Sequence, residues 1–178
     1  MTGTLIRSPL QSLIHDVDRA VRESPLGAAT IHAVAAALQP FLGVKTLLTP
    51  DQEVGDPAGY RQHLLHVAAD GAFSLVALVW LPGQHTVIHD HVSWCVVGIH
   101  QGSEYETRYR LTTDGHLIQT GTATAVVGDV AGLLPPGDIH QVHNAGADTA
   151  ISLHVYGADL TDTQTSIRRR YNSPIRPT

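Results

Sequence analysis

The chain has 178 residues, 43% of them hydrophobic and 15% charged, which predicts one globular domain with a buried core and excludes a disordered or highly charged tail protein. Eleven Lys and Arg against 16 Asp and Glu give a net charge of −5, so no general basic field exists to hold nucleic acid or an anionic membrane. A single cysteine rules out an intramolecular disulfide, the longest apolar run (75–81) is too short to span a bilayer, and the first residues lack a secretory pattern; a cytoplasmic protein is expected.

Apolar residues at Leu10, Leu13, Ile14, Val17 and Val21, with Asp16, Asp18, Arg19 and Arg22 between them, follow a helix period. Ser8-Pro9 offers the start and Ser24-Pro25 the stop. The alanine-rich stretch from Gly27 to Leu38 predicts a second helix ended by Pro40, and the pair is expected to cover one end or flank of a barrel. Residues 49–59 carry loop formers. From Tyr60 the pattern is β, with short runs at 60–68, 73–81, 94–101, 104–111, 116–122, 124–127, 130–134, 139–143 and 149–156 separated by turn residues such as Asp70-Gly71 and Asp114-Gly115. Such spacing predicts an all-β sandwich or barrel. The tail from Thr161 reads as irregular, and Arg168-Arg169-Arg170 is the one basic cluster in the chain.

Two segments carry chemistry. In Gly83-Gln-His-Thr-Val-Ile-His89-Asp90-His91 the two histidines stand two apart in an extended context, so both imidazoles leave one face and Asp90 the other. In Pro135-Pro-Gly137-Asp-Ile-His140-Gln-Val-His-Asn144 a third histidine follows a tight turn. His89, His91 and His140 can reach one divalent ion and leave coordination positions open. Imidazole suits zinc, copper, iron or nickel, so the spacing alone does not name the metal. Further on, Ser152, His154 and Tyr156 alternate with Ile151, Leu153 and Val155, giving one polar and one apolar face. A Tyr hydroxyl backed by a histidine and then a serine is a hydrogen-bonded relay able to orient the phenol.

The two histidine segments resemble the paired cupin motifs, which implies a double-sheet, jelly-roll-like barrel: here residues 55–160 form the barrel, 1–48 two N-terminal helices and 161–178 a C-terminal tail. In the common cupin pattern a glutamate fills the variable site that is Cys95 here. Together with the three histidines and the Ser-His-Tyr run, Cys95 makes the chain resemble the thiol dioxygenases, cysteine dioxygenase and its bacterial mercaptopropionate-oxidising relatives. That resemblance implies iron(II) on His89, His91 and His140, a catalytic Ser152-His154-Tyr156 relay, a thiol substrate and O2 as partners, and a monomer. In the animal-type enzymes the equivalent cysteine can form a thioether with the equivalent of Tyr156, so a Cys95–Tyr156 crosslink is allowed here without being required.

Tyr60-Arg61-Gln62 is similar to the family's Tyr-x-Arg segment, with Gln62 where an arginine would grip the substrate carboxylate. Glutamine lacks the charge and the bidentate fork. The glutamine-bearing branch resembles 3-mercaptopropionate dioxygenases, which have an arginine in the C-terminal segment near the site; Arg168 is the first candidate for that part, with Arg169 and Arg170 behind it. The expected reaction is 3-mercaptopropionate to 3-sulfinopropionate. L-Cysteine is the alternative substrate, favoured by Cys95 and opposed by Gln62, and a non-catalytic metal-binding cupin is the alternative of another class. His143, His100, His63 and the remaining histidines are expected to be structural or surface residues, and Trp94 to pack.

Overall fold

Ser8 starts the first helix by a reciprocal cap: its hydroxyl accepts the Gln11 backbone N–H at 3.2 Å and its own N–H donates to the Gln11 side chain at 2.9 Å, satisfying two otherwise orphaned donors. In the computed structural model, which describes residues 7–163 and 165–176, this helix is α1 (Pro9–Glu23) and the alanine-rich one is α2 (Ala28–Leu38). Pro40 ends α2 as expected, and the chain coils one turn further as a 3-10 helix, Gln39–Phe41.

The β region follows in order as β1 (Arg61–Val67), β2 (Ser74–Trp80), β3 (His89–His91), β4 (Cys95–Gln101), β5 (Ser103–Leu111), β6 (Leu117–Val126), β7 (Val130–Leu133), β8 (His140–His143) and β9 (Ala150–Tyr156). Two expectations are corrected. The separate runs at 116–122 and 124–127 are one strand, β6, which pairs with β5 through Ala123 without a break; its irregularity lies at Thr120, between the Arg108–Gly121 and Tyr109–Gln119 pairs. The tail also has structure, with a short helix α3 (Leu160–Thr163) and strands β10 (Ile167–Arg170) and β11 (Ile175–Arg176). These last strands are short and largely polar, so they carry no alternation of their own and are set by the partners they pair with.

The strands form two sheets, one ordered β1-β2-β9-β4-β7 and the other β10-β3-β8-β5-β6-β11. β2 and β9 are buried along their whole length because each has work on both faces. Their odd-numbered residues, Leu75, Ala77, Val79, Ile151, Leu153 and Val155, pack with Leu13, Val17, Val34 and Leu38 of the two helices. Full burial of each such Leu, Ile or Val contributes about 1.5–3 kcal/mol. On the opposite face of the same strands Leu78, Trp80, His154 and Tyr156 line a cavity. The helices therefore cover the outer flank of one sheet, and their approach needs a missing side chain: a Cβ on Gly132 of β7 would lie 2.2 Å from Ile31 Cγ2 of α2.

Candidate metal centre

β3 sends His89 and His91 to one face and Asp90 to the other, and its neighbour β8 runs antiparallel with His140 directly opposite His89. One ring nitrogen from each of the three histidines lies within 4.8 Å of the others, and all three residues are buried. Each ring is held at its other nitrogen. His89 Nδ1 bonds the Val87 carbonyl at 2.9 Å, His91 Nδ1 the Asp138 carboxylate at 2.9 Å, and His140 Nδ1 the Glu106 carboxylate at 2.8 Å. Carbonyl and carboxylate oxygens only accept, so the rings donate from Nδ1 and keep a bare lone pair on Nε2. His140 Nε2 is buried with no hydrogen-bond partner among the described residues.

Converging, unpaired lone pairs are costly to bury unless a cation meets them, and carboxylates behind histidines are the usual outer support of a metal site. Burial, reinforced by His140 and His91, pushes His89 down to about 3, so it offers the neutral ring that coordination requires. For Asp138, burial acts upward, but the bonds from the His91 ring, from its own backbone N–H and from the His91 N–H together outweigh it, and the carboxyl titrates below its ordinary range. Glu106 follows the same balance, with His140 and Arg108 overcoming its burial. The residues fit a divalent metal.

A second line of groups runs along the inner face of β9. Trp80 Nε1 donates to Ser152 Oγ at 3.1 Å, Ser152 Oγ lies 2.8 Å from His154 Nε2, and His154 Nδ1 lies 3.0 Å from the Tyr156 hydroxyl. The Tyr156 ring stands 6.0 Å from that of His91, centroid to centroid. Burial holds His154 down to about 3, with the three site histidines adding to it, and raises Tyr156 well above its ordinary value. Every link is therefore neutral, and a proton can move along the line only by exchange of hydrogen-bond partners. Cys95 is in register with Tyr156 across β4 and β9, with its sulfur 3.9 Å from His154 Nδ1. Burial pushes this thiol up, so it stays protonated.

The histidines and the relay open on one cavity of about 240 Å3, lined also by Tyr60, Gln62, Leu78, Glu104 and Ile167. Tyr60 stacks against Trp80 with ring centroids 4.5 Å apart. Neither Arg168 nor Arg170 is among the lining residues. The Arg168 guanidinium pairs instead with Asp90, the residue of β3 that faces away from the histidines, and Tyr171 donates to the same carboxylate at 2.9 Å. β10 pairs irregularly with β3, which puts Ile167 opposite His91, Arg169 opposite Asp90 and Arg170 opposite His89. Arg170 is thus the arginine on the histidine side, near enough to Tyr60 for its charge to act on that phenol.

Sequence reading missed Glu106, Asp138, Glu104 and Trp80. Asp138 was detectable as an acidic residue two positions before His140; the others sit on strands whose facing partners only the sheet order reveals. Of the residues expected to be structural, His143 lies against Tyr105 with centroids 5.1 Å apart, His100 accepts from Gly43 N–H at 3.3 Å, and Trp94 packs on the helix-covered core.

The sequence profile of the cysteine dioxygenase type I family matches residues 53–169. The chain belongs to that family. The matched span of this cysteine dioxygenase family member holds the three histidines, Cys95, the relay and the Tyr60-Gln62 segment, and ends one residue before Arg170. Solved structures similar to this chain include TT1209 from Thermus thermophilus, at 22% identity and TM-score 0.47 over 66% of this chain and 98% of that one. A double-stranded β-helix protein from Klebsiella pneumoniae has 18% identity and TM-score 0.46 over 63% and 89%. A cupin 2 conserved barrel protein from Salinispora arenicola has 20% identity and TM-score 0.43 over 59% and 81%. The fold is the expected cupin barrel. Among the described residues no helix is long and apolar enough to cross a membrane.

Proposed function

We propose that this protein is an iron(II)-dependent thiol dioxygenase whose preferred substrate is 3-mercaptopropionate, converted to 3-sulfinopropionate. The observation that carries the reading is the convergence, in one cavity, of three histidines with free Nε2 atoms and a Ser-His-Tyr line ending beside them, in a chain of the cysteine dioxygenase type I family. His89, His91 and His140 would hold the iron, which when bound supplies the redox chemistry that joins both atoms of O2 to a thiolate sulfur.

The protein's own groups do the rest. Tyr156, kept neutral by burial, offers one hydroxyl to the reacting groups while His154 and Ser152 hold its orientation. The apolar walls contributed by Leu78 and Ile167 limit water around a charged sulfur. At the cavity mouth Gln62 can donate one amide hydrogen bond to a substrate carboxylate, and Arg170, on the His89 side of β10, can supply the charge that Gln62 lacks. A carboxylate with no neighbouring ammonium group suits that pair, which is why 3-mercaptopropionate is preferred to L-cysteine.

The test is O2 consumption and product mass for iron-loaded protein given 3-mercaptopropionate or L-cysteine. A higher kcat/KM for 3-mercaptopropionate, abolished by His140→Ala, is expected. Preference for cysteine would overturn the substrate reading, and no uptake with any thiol by iron-containing protein would overturn the enzyme.

A further inference from the structure

β3 is only three residues long (His89–His91) and carries two of the three histidines, so whatever fixes this strand fixes the site. Its pairing with β8 comes to one registered pair, His89 with His140, and the His91 N–H goes to the Asp138 carboxylate at 3.2 Å. On its other side β10 pairs with all three residues. The ladder runs past both ends, with Val92 N–H donating to the Ser166 carbonyl and Tyr171 N–H to the Ile88 carbonyl, each at 2.9 Å.

The outward face of β3 is held by the same C-terminal segment. Asp90 is 1% exposed, and its Oδ2 takes hydrogen bonds from Arg168 and, at 2.9 Å, from the Tyr171 hydroxyl. Its Oδ1 has no partner among the described residues, so the side-chain bonds this buried carboxylate makes there all come from residues 168–171. Tyr171 is itself buried and packs in one cluster with Ile88 and Ile139, the residues that precede His89 and His140. The Arg169 guanidinium covers its ring, 4.7 Å from the centroid.

Successive residues of a strand point to opposite faces, so Asp90 cannot turn without turning His89 and His91 with it. Deprived of its donors, a buried carboxylate moves toward water, and that movement rotates β3 and draws both rings away from His140. Linkage makes the effect reciprocal: an ion that holds the three rings together holds Asp90 within reach of Arg168 and Tyr171.

We propose that Tyr171 and Asp90 are positioning residues of the metal centre, the two halves of a clamp through which docking of residues 166–171 and metal binding favour each other. Ser166 and Ile167 of the same segment line the cavity, so the clamp also keeps that wall in place. The inference rests on the three histidines as a metal site, as in the dioxygenase reading, but not on the identity of the metal or on turnover.

The experiment uses the full chain, metal-free and loaded with zinc(II) as a redox-inert probe. Chelator competition should show zinc held at least about fivefold more weakly by Tyr171→Phe, which loses one hydroxyl and keeps the buried ring. Arg168→Ala should bind zinc more weakly than the wild type as well, with Arg168→Lys between the two. Gly132→Ala, on the other sheet, should lower Tm without changing zinc affinity. Backbone hydrogen exchange followed by NMR should slow at Val92 and Tyr171 when zinc binds the wild type, and slow less in Tyr171→Phe. Wild-type zinc affinity in Tyr171→Phe and Arg168→Ala, an equal loss in Gly132→Ala, or exchange at Val92 and Tyr171 indifferent to zinc would overturn the clamp. A wild type that binds no zinc would overturn the metal centre and the clamp together. Zinc affinities and exchange as expected, with no thiol-dependent O2 uptake by the iron form, would support the clamp and indict the dioxygenase reading alone.

Discussion

Glu106→Ala is expected to loosen the metal site without loosening the fold. The Glu106 carboxylate accepts from His140 Nδ1 at 2.8 Å and from Arg108 Nε at 2.7 Å, so one truncation breaks both. Losing the acceptor behind a metal-bound histidine typically weakens metal affinity 10–100-fold, which is about 1.4–2.7 kcal/mol. The cost through Arg108 is smaller, because that side chain is 55% exposed and such pairs contribute about 0–1 kcal/mol. Chelator competition with iron(II) under anaerobic conditions, or with a redox-inert divalent ion, should therefore show Glu106→Ala binding at least tenfold more weakly. Glu106→Gln, which keeps an acceptor but not the charge, should fall between the two, and Arg108→Ala should bind almost as the wild type does. Equal affinity in the wild type and Glu106→Ala would mean that the Nδ1 partner does not orient His140 for a metal, and the engaged Nδ1 atoms would then no longer support a metal centre.

Arg170→Ala should raise KM for 3-mercaptopropionate about tenfold, the loss of roughly 1.4 kcal/mol of charge-assisted hydrogen bonding. Arg168→Ala should leave KM alone and lower Tm, since it strips the fully buried Asp90 of its cation; the reverse pattern in steady-state kinetics would reassign the two arginines. Glu104, pushed up to about 7 from an ordinary 4.5, keeps its proton in the folded chain over a range where the unfolded chain has lost it. Stability from this group is full below the ordinary value and falls as pH rises from there through about 7, by on the order of 3 kcal/mol. Glu104→Gln should thus gain on the wild type as pH rises, and an equal urea-unfolding difference on both sides of that window would refute it. Cys95 and Tyr156 face each other in register, so intact mass after aerobic turnover should reveal a species lighter by two hydrogens; its absence at every stage removes the crosslink. Gly132→Ala forces a methyl against the stiff β-branched Ile31 and should cost about 1–3 kcal/mol, read as a lower Tm, with an unchanged Tm showing that α2 can slide.

Much of the barrel was legible because its central strands announce themselves. Ile151-Ser152-Leu153-His154-Val155-Tyr156 alternates in a way that, from residue order alone, assigns an apolar face to the helices and a polar face to the cavity, and both assignments hold. The histidine spacing brought His89, His91 and His140 together for the same reason. What the sequence withheld depends on which strand lies beside which. Glu106 matters because β5 neighbours β8, and Arg170 stands opposite His89 while Arg168 reaches Asp90 because β10 pairs irregularly with β3. A four-residue strand of Ile-Arg-Arg-Arg has no period to read, and a one-residue shift of register exchanges the faces of its arginines.

β3 lies between β8 and β10, and β9 lies between β2 and β4. The two strands that hold the histidines and the relay in position are thus joined to partners far away in sequence, β3 to β10 and β9 to β2. On a ribosome, His89 and His91 emerge long before β9 or β10 has been made, and until then they sit on an unpaired edge with Asp90 exposed. The pocket is among the last parts of the molecule to be assembled, so a metal ion taken up in the proper geometry arrives after synthesis of these strands and contributes to holding the finished protein more than to starting its folding.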